Sequence, residues 1–441
     1  MSDKKNKPEL YVVGEDDGIT EIPDDSKGKR IDETKRRVAR NIKRFDAKRN
    51  RSGARLSPLA YGIIIALIFV VVYVVADISS GGFIYNANGR FVSLFADKTS
   101  KNFSVSTDSD KVYDFESFGK GFVMLSDNGV AFIGKNGEKT SSQQFTYSSP
   151  AIEINGERTV VYDRGNTSYS LMKNGKIYSQ QKTDNKIIDF ALSAKDNYAV
   201  AVKDENAKSV LIGMDARGKV IYQWNCPKGY ISDVAITPAG GKVAVTVIDS
   251  ANAVLSSTVY ILDFEYDSAY AQFEYNAETV LSAKFLSDRK VQIVTDKNVY
   301  CISGKEQNVV AEFGTDDIYF CDFSEKYTAV VTKDYSRDDF FTLSLFAKNG
   351  KLKCSVELNG KVRGLSVSDK SVSVLFSDKT ETYSKRGKLV GSIDNINHYD
   401  DIALAGNFIY VLSSDSVKKY PAYGNISHFV AEEETAYGGT L

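Results

Sequence analysis

One stretch of this chain contains the complete pattern that decides its fold: IIDFALSAKDNYAVAVKDENAKSVLIGMDARGKVIYQWN, residues 187–225. Three short apolar runs, at 187–190, 198–202 and 209–212, are separated by polar residues, and Gly218 marks a turn before a fourth run. Short apolar runs bounded by turn residues predict β-strands joined by tight connections. The stretch therefore predicts a unit of four antiparallel strands.

The same pattern recurs roughly every 40 residues along the chain. The opening runs of the units begin near residues 112, 151, 187, 231, 280, 318, 362 and 400. Many consecutive units of four short strands are typical of a β-propeller, in which each unit forms one blade. We therefore expect an all-β, eight-bladed β-propeller over residues 84–431, with seven blades as the alternative.

Glycine residues predict the turns between third and fourth strands, and the incomplete last unit predicts how the ring closes. A glycine followed within two residues by a lysine ends the third strand of six units, at Gly137, Gly175, Gly218, Gly304, Gly350 and Gly387. Asn136, Asn174 and Asn349 precede three of them, and Asn-Gly favours a hairpin turn with two positive φ angles. The last unit is short, so Phe103–Ser106 is expected to supply its outer strand, with Ile426–Ala431 after Gly424 as the alternative.

At these points the domain resembles the quinoprotein-like and WD40-like propellers, and it is most similar to single-span propeller proteins of Gram-positive bacteria. Residues 217–224, RGKVIYQW, are similar to one quinoprotein repeat, but the chain has one copy and a single tryptophan, Trp224. The resemblance is one of architecture over residues 84–431. It implies no bound cofactor, and none is predicted.

Acidic residues recur near the centre of the opening strands: Asp114, Glu153, Asp189, Asp233, Asp322 and Asp401. Opening strands line the channel of a propeller, so these acids could form a ring that holds a cation or a basic ligand. Alternatively, each carboxylate accepts backbone N–H groups of the neighbouring blade. The two histidines, His398 and His428, have no companions at metal-binding spacing. No catalytic, cofactor-binding or metal-binding residue is predicted.

The four cysteines do not indicate a metal-binding or redox site. Cys226, Cys301, Cys321 and Cys354 contain no CxxC pair, and four cysteines allow three disulfide pairings that sequence cannot distinguish. We expect buried thiols that act as small apolar side chains, with one or two disulfides as the alternative.

An uncharged segment, LAYGIIIALIFVVVYVVA at Leu59–Ala76, precedes the repeats. At 1.5 Å per residue it would span about 27 Å as a helix, close to the thickness of a bilayer core. We expect one transmembrane helix over residues 58–78. Lys and Arg are abundant in residues 27–55, whereas residues 77–97 contain only Arg90, so the N-terminus is expected in the cytoplasm and the propeller outside the membrane.

The N-terminal region divides into an acidic tail at 1–30, expected to be disordered, and a basic helix at 31–57. Val38, Ile42 and Phe45 would share one face of this helix. Its bases would contact anionic lipid headgroups: Arg36, Arg37, Arg40, Lys43, Arg44, Lys48 and Arg49. The alternatives are a cytoplasmic protein partner, nucleic acid, or bases that only fix the topology. Residues 432–441 are expected to form a flexible C-terminal tail.

These patterns favour a binding protein over an enzyme. The region after the span is mildly acidic and has no basic nucleic-acid footprint. We expect a membrane-anchored, extracytoplasmic scaffold, non-enzymatic, whose propeller binds a protein or a cell-envelope polymer; signalling through the basic tail is a secondary expectation. The alternative is an envelope-facing lyase or hydrolase that uses the channel carboxylates.

Overall fold

The computed structural model describes residues 103–107, 111–205, 208–251, 254–314, 317–394 and 396–425. The chain divides into two compact units, residues 1–82 and 83–441, and every described residue belongs to the second. The predicted N-terminal tail, basic helix, transmembrane helix, domain boundaries at 84 and 431, and C-terminal tail lie outside the described residues. Within the ranges given above, no helix has the length and apolar character needed to cross a membrane.

Eight sheets form the blades of a propeller, which confirms eight blades and makes the seven-bladed alternative wrong. All strand pairs within them are antiparallel except that of β29 with the two-residue β33 in blade 7. Blades 1 to 7 each use four consecutive strands. The strands of blades 1 to 4 are β2 (Val112–Phe118), β3 (Gly121–Ser126), β4 (Gly129–Ile133), β5 (Lys139–Gln144); β6 (Pro150–Asn155), β7 (Arg158–Asp163), β8 (Ser168–Lys173), β9 (Lys176–Lys182); β10 (Ile187–Leu192), β11 (Tyr198–Asp204), β12 (Lys208–Met214), β13 (Val220–Asn225); β14 (Tyr230–Ile236), β15 (Lys242–Ala251), β16 (Val254–Asp263) and β17 (Ala271–Tyr275).

Blades 5 to 7 continue in the same order, and blade 8 is assembled from both ends of the described chain. Their strands are β18 (Val280–Ser287), β19 (Lys290–Thr295), β20 (Asn298–Ser303), β21 (Glu306–Glu312); β22 (Asp317–Phe323), β23 (Tyr327–Lys333), β24 (Phe340–Ala347), β25 (Leu352–Asn359); β26 (Val362–Val367), β27 (Ser371–Phe376), β28 (Lys379–Ser384), β29 (Leu389–Asp394), β33 (Gly424–Asn425); and β30 (Asp401–Ala405), β31 (Phe408–Leu412), β32 (Ser416–Pro421), β1 (Ser104–Ser106).

Burial explains why the sequence shows apolar runs in some strands and alternation in others. The second strands β3, β7 and β27 are buried at every position, because neighbouring blades cover both faces of each sheet. The outer strand β9 alternates between exposed and half-buried residues, because only one of its faces is covered. A continuous apolar run therefore marks the middle of a blade, and alternation marks its rim.

The ring is closed by the first described strand. β1 pairs with β32, with Ser104 opposite Lys418 and Ser106 opposite Ser416, so it is the outer strand of the last blade. This confirms the closure expected from Phe103–Ser106. Gly424 does not start a closing strand: β33 pairs in parallel with β29 at the edge of blade 7, and residues 426–431 lie outside the described residues.

All six predicted turn glycines have positive φ angles, but the predicted turn type is correct at only one Asn-Gly pair. Asn174 and Gly175 both have positive φ, at 50° and 74°, as a two-residue hairpin requires. At Gly137 and Gly350 the preceding asparagine has an ordinary φ. Those turns are longer: five residues separate β4 from β5 and four separate β24 from β25, whereas two separate β8 from β9.

These glycine turns also pack against the blade before them. A Cβ atom at Gly175 would lie 2.8 Å from the Cβ of Ser141 in the outer strand of blade 1. A Cβ at Gly350 would lie 2.8 Å from Val310, and one at Gly387 would lie 2.9 Å from Val356, again in the preceding blade. The repeated glycine is thus a contact between blades as well as a turn residue.

Strand direction gives the ring two distinct faces. Because the strands of a blade alternate in direction, the connections from first to second strand and from third to fourth strand lie on one face, here called the turn face. The connections from second to third strand and from blade to blade lie on the opposite face, here called the mouth face. The first strands of neighbouring blades contact one another and are therefore the innermost strands, around the central channel.

Candidate functional site

Six of the eight innermost strands contain a one-residue bulge near the mouth face. Each bulge follows the first or second paired residue and leaves one extra residue without a partner in the ladder. The extra residues are Tyr113, Ile188, Ser232, Leu281, Tyr319 and Arg363. Bulges change the direction of side chains and are common beside binding sites. Tyr113, Leu281 and Tyr319 remain 42%, 46% and 40% exposed, respectively.

Further exposed aromatic and aliphatic residues lie on the same face. Tyr230 begins the innermost strand of blade 4, and Tyr335 lies in the connection between β23 and β24 with 60% of its surface exposed. Blade 4 also carries the two longest strands, β15 and β16, of ten residues each, and Val254 and Leu255 are exposed near their connection. The mouth face therefore carries large uncovered apolar side chains in several blades.

The acids of the innermost strands occupy two levels rather than one. Asp114, Asp189 and Asp233 are the first residues paired after the bulge. In blade 6 that position belongs to Phe320, and Asp322 lies two residues further along the same strand. Since residues two apart point to the same side of a strand, both levels face the same side.

Three of the predicted acids accept hydrogen bonds from the next blade. The backbone N–H groups of Val234, Ala283 and Val367 donate to Asp189 at 2.9 Å, Asp233 at 3.0 Å and Asp322 at 2.6 Å, respectively. In blade 7 the hydroxyl of Ser366 has this role and accepts the N–H of Leu404 at 3.0 Å. For these positions the structural alternative considered from the sequence is confirmed.

The other predicted acids are less tied to neighbouring blades. Asp401 accepts the N–H of the next residue, Ile402, at 2.7 Å, and Asp114 is stabilised in the same way by Phe115. Glu153 interacts through its charge with Asp189, Glu116 and Asp233. All six predicted acids lie on innermost strands.

The channel environment raises the pKa of every one of these carboxyl groups. Removal from bulk water is the largest cause, and repulsion between the acids adds to it at several of them. The pKa is raised to about 6 for Asp114, Asp189, Asp322 and Asp401 and to about 7 for Asp233, and it is well above the usual value for Glu153.

Glu116, which the sequence reasoning missed, has a pKa raised to about 8 although its side chain is exposed to water. In a narrow channel a side chain can touch water and still have protein on most sides. Glu116 therefore combines an exposed side chain with a raised pKa. Glu116 lies two residues after Asp114, so the period of two along a strand was the signal that could have identified it.

A single lysine, Lys284, acts on acids from four other blades. Its charge lowers the pKa of Glu116, Glu153, Asp233 and Asp322, which belong to blades 1, 2, 4 and 6. A charge that acts on so many blades lies near the axis of the ring. The signal in the sequence was a lone charged residue inside the apolar opening run Ala283-Lys284-Phe285.

A second basic group, Arg164, lies in the connection between β7 and β8, on the mouth face. Its guanidinium donates to the hydroxyl of Tyr162 at 3.0 Å and lies 3.6 Å from the carboxylate of Asp189. Tyr162 in turn donates to Asp189 at 3.1 Å. The arginine is half exposed, so it joins the channel acids to the mouth face. Neither Arg164 nor Tyr162 was singled out from the sequence.

Metal and thiol chemistry have little support at this site. In the part of the chain that the structure describes, no group of three or more His, Cys, Asp and Glu side chains could hold a metal ion. His398 is exposed. All four cysteines are free thiols, and Cys226 and Cys301 are buried, as expected for small apolar side chains. The disulfide alternative does not hold in this structure.

Comparison with known proteins gives a family and a fold. The model of a family described as a family of unknown function (DUF5711) matches residues 95–390. No curated protein matches the sequence. The C-terminal WD40 domain of Sif2 is 13% identical, with a TM-score of 0.51 over 70% of this chain and 96% of that domain, and this likeness shows the propeller fold.

Two other solved structures are similar at lower TM-scores. BamB from Moraxella catarrhalis is 15% identical, with a TM-score of 0.37 over 61% of this chain and 96% of BamB. A structure described as the eukaryotic initiation factor is 11% identical, with a TM-score of 0.48 over 72% of this chain and 87% of that one.

Proposed function

Because this chain belongs to the DUF5711 family, whose function is unknown, we propose that it is a membrane-anchored binding scaffold. In this proposal Leu59–Ala76 spans the cell membrane once, the N-terminus is cytoplasmic, and the propeller binds a protein or a cell-envelope polymer outside. The basic helix at 31–57 contacts anionic headgroups of the inner leaflet. Transmission of a signal through this helix is a secondary part of the proposal.

The observation that carries the proposal is the set of bulges beside the channel. A bulge interrupts the ladder, yet six innermost strands have one at the same place, and Tyr113, Leu281 and Tyr319 are held in water as a result. Exposed aromatic and aliphatic side chains are typical of the central part of protein interfaces. The acids behind them favour a partner that offers a basic group to the channel.

The same geometry favours binding over catalysis. The carboxylates of Asp189, Asp233 and Asp322 accept backbone N–H groups of the next blade, and a serine replaces the acid in blade 7. A catalytic acid must be free to exchange a proton with a substrate, whereas these oxygens connect blades. Their repetition is therefore explained by the fold.

The binding role is tested by crosslinking and pulldown of the full chain from membranes. A variant with Tyr113→Ser, Leu281→Ser and Tyr319→Ser should lose the crosslinked partner. The matched control is Tyr178→Ser, Leu352→Ser and Leu389→Ser, which removes three exposed apolar side chains (48%, 49% and 46%) from outer strands and should keep it. Equal capture by both variants, or no partner while a divalent metal raises the melting temperature, would contradict the proposal.

The topology is tested separately with protease added to intact cells. The connections of the propeller should be cleaved, and residues 1–58 should be spared until the membrane is permeabilised. Cleavage of residues 1–58 with protection of the propeller would show the opposite orientation.

A further inference from the structure

Most turns between third and fourth strands give the turn face an excess of basic residues. Six of these turns, at residues 134–139, 173–176, 215–219, 303–306, 347–351 and 384–388, contain twelve Lys and Arg but only three Asp and Glu. The turn of blade 4, at 264–270, contains two acids and no base, and the connections from first to second strands contain five acids and five bases, so the face keeps a net positive charge. All twelve basic side chains are exposed: Lys135, Lys139, Lys173, Lys176, Arg217, Lys219, Lys305, Lys348, Lys351, Lys385, Arg386 and Lys388. They belong to six different blades, so they surround the ring.

The mouth face has the opposite charge. Its described connections contain eleven acids and seven bases. The acids are Asp127, Asp184, Glu205, Glu278, Asp296, Asp334, Asp338, Asp339, Asp378, Asp400 and Asp415. The propeller is therefore electrostatically polarised along its axis, which the near-zero net charge of the chain conceals.

The chain enters the ring on the basic side. β1 is the fourth strand of its blade, so it starts at the turn face, and the ring of Phe103 lies 3.1 Å from where a Cβ of Gly137 would be, in a basic turn of blade 1. The Nζ of Lys419 lies 5.5 Å from the centre of the Phe103 ring and donates to the carbonyl of Lys135 in the same turn. The described chain therefore begins, at Phe103, on the turn face.

We propose that the turn face lies on the anionic lipid headgroups of the membrane in which the span is anchored. This inference rests on the membrane anchoring of the proposed function. Residues 79–102 connect the predicted span to β1, and 24 residues cannot reach further than about 86 Å at 3.3–3.6 Å each. The attachment point, the ring of bases and the negative headgroups are then on the same side of the propeller.

This arrangement leaves the mouth face directed away from the lipid. Its excess of acids is repelled by the same headgroups that attract the turn face, so charge alone favours one orientation of the ring. Attraction between exposed charges acts over about one Debye length, roughly 8 Å at physiological ionic strength. The contact should therefore disappear at high salt while the span keeps the protein in the membrane.

The test uses the full chain in lipid nanodiscs, either of phosphatidylcholine alone or of phosphatidylcholine mixed with phosphatidylglycerol. Acetylation of individual lysines by an amine-reactive reagent is followed by mass spectrometry. Lys176, Lys219, Lys351 and Lys388 should react several-fold more slowly in the anionic discs, and high salt should remove the difference. Lys186 and Lys361, exposed on the mouth face, should react equally in both.

A variant separates lipid contact from general shielding. Lys385→Gln, Arg386→Gln and Lys388→Gln remove three neighbouring bases of blade 7 and should reduce the protection of Lys351 in blade 6. Equal acetylation of the turn-face lysines in both kinds of disc would overturn the inference. It would also be overturned if soluble polyphosphate, but not anionic lipid, slowed the acetylation of these lysines. Failure of the chain to insert into either disc would instead contradict the membrane anchoring of the proposed function.

Discussion

The carboxylate of Asp322 in blade 6 accepts a hydrogen bond from the backbone N–H of Val367 in blade 7, at 2.6 Å. Its other oxygen accepts the N–H of Phe323 at 2.7 Å. One side chain therefore joins two sheets that share no strand pairing, at the inner end of the blades. This relationship recurs around much of the ring and explains acids that would otherwise indicate a ligand.

Replacing Asp322 should destabilise the propeller. Asp322→Ala leaves the N–H of Val367 without its acceptor and should lower the free energy of unfolding by about 1–3 kcal/mol, measured by urea denaturation. Asp322→Asn keeps an acceptor oxygen and should cost less. Asp184→Ala, at an exposed connection, should change stability by less than about 0.5 kcal/mol. Equal effects at Asp322 and Asp184 would contradict a role between blades.

The channel acids predict that stability falls as pH rises. Their folded pKa values, about 6 to 8, lie above those of the unfolded chain, so the folded state binds more protons between about pH 4 and pH 8. Stability is then highest below the unfolded pKa values and is lost progressively through that interval. Melting temperatures from pH 4.5 to 8.5 should decrease, and Glu116→Gln with Glu153→Gln should flatten the profile. A rising profile would contradict it.

Lys284 should matter most when the acids around it are ionised. Lys284→Met removes the positive charge that lowers the pKa of carboxyl groups in four blades. The melting temperature should fall more at pH 8 than at pH 5, and the pKa values of those acids should rise further. Lys284→Arg, which keeps the charge, should show a smaller difference between the two pH values. A loss independent of pH would indicate a packing role alone.

Two glycine substitutions distinguish the cost of a clash with the neighbouring blade from the cost of backbone strain. Gly175 and Gly119 have similar positive φ angles, 74° and 61°, but a Cβ meets Ser141 at 2.8 Å in the first case and open space in the second. Gly119→Ala should therefore cost about 1 kcal/mol of strain, whereas Gly175→Ala should cost clearly more. Thermal or urea unfolding of both variants gives the comparison. Equal costs would mean that the blades adjust to the added methyl group.

Much of the fold could be predicted because the buried second strands are continuous apolar runs, as in Val160–Tyr162, and recur at a fixed period. The closing strand Phe103–Ser106 could be predicted because the last unit lacks a fourth strand. The levels of the acids could not. Each of Asp114 and Asp322 precedes a phenylalanine, but Asp114 is the first residue paired after its bulge, whereas Asp322 lies two residues beyond the equivalent place. Composition does not show where in the strand the bulge occurs, so the two levels could not be told apart.

The channel as a whole was also beyond sequence reasoning. Glu116 and Lys284 lie in blades 1 and 5 and influence each other only because the ring brings the innermost strands around one axis. The period of the repeat identifies equivalent positions in different blades. Which charged side chains lie near one another across the channel depends on the number of blades. The partners of Lys284 follow from eight blades and would differ with seven.

The pairing of β1 with β32 has a consequence for synthesis of the protein. Thr107 bonds to the carbonyl of Ser414, 307 positions later. At about 5–20 residues per second, the ribosome needs roughly 15–60 s to deliver the partner of a strand that it made first. Throughout that time β1 has no partner strand, and its backbone N–H and C=O groups can pair with a strand of another chain. Shielding of β1, or rapid completion of the chain, then becomes a requirement for productive folding in the cell.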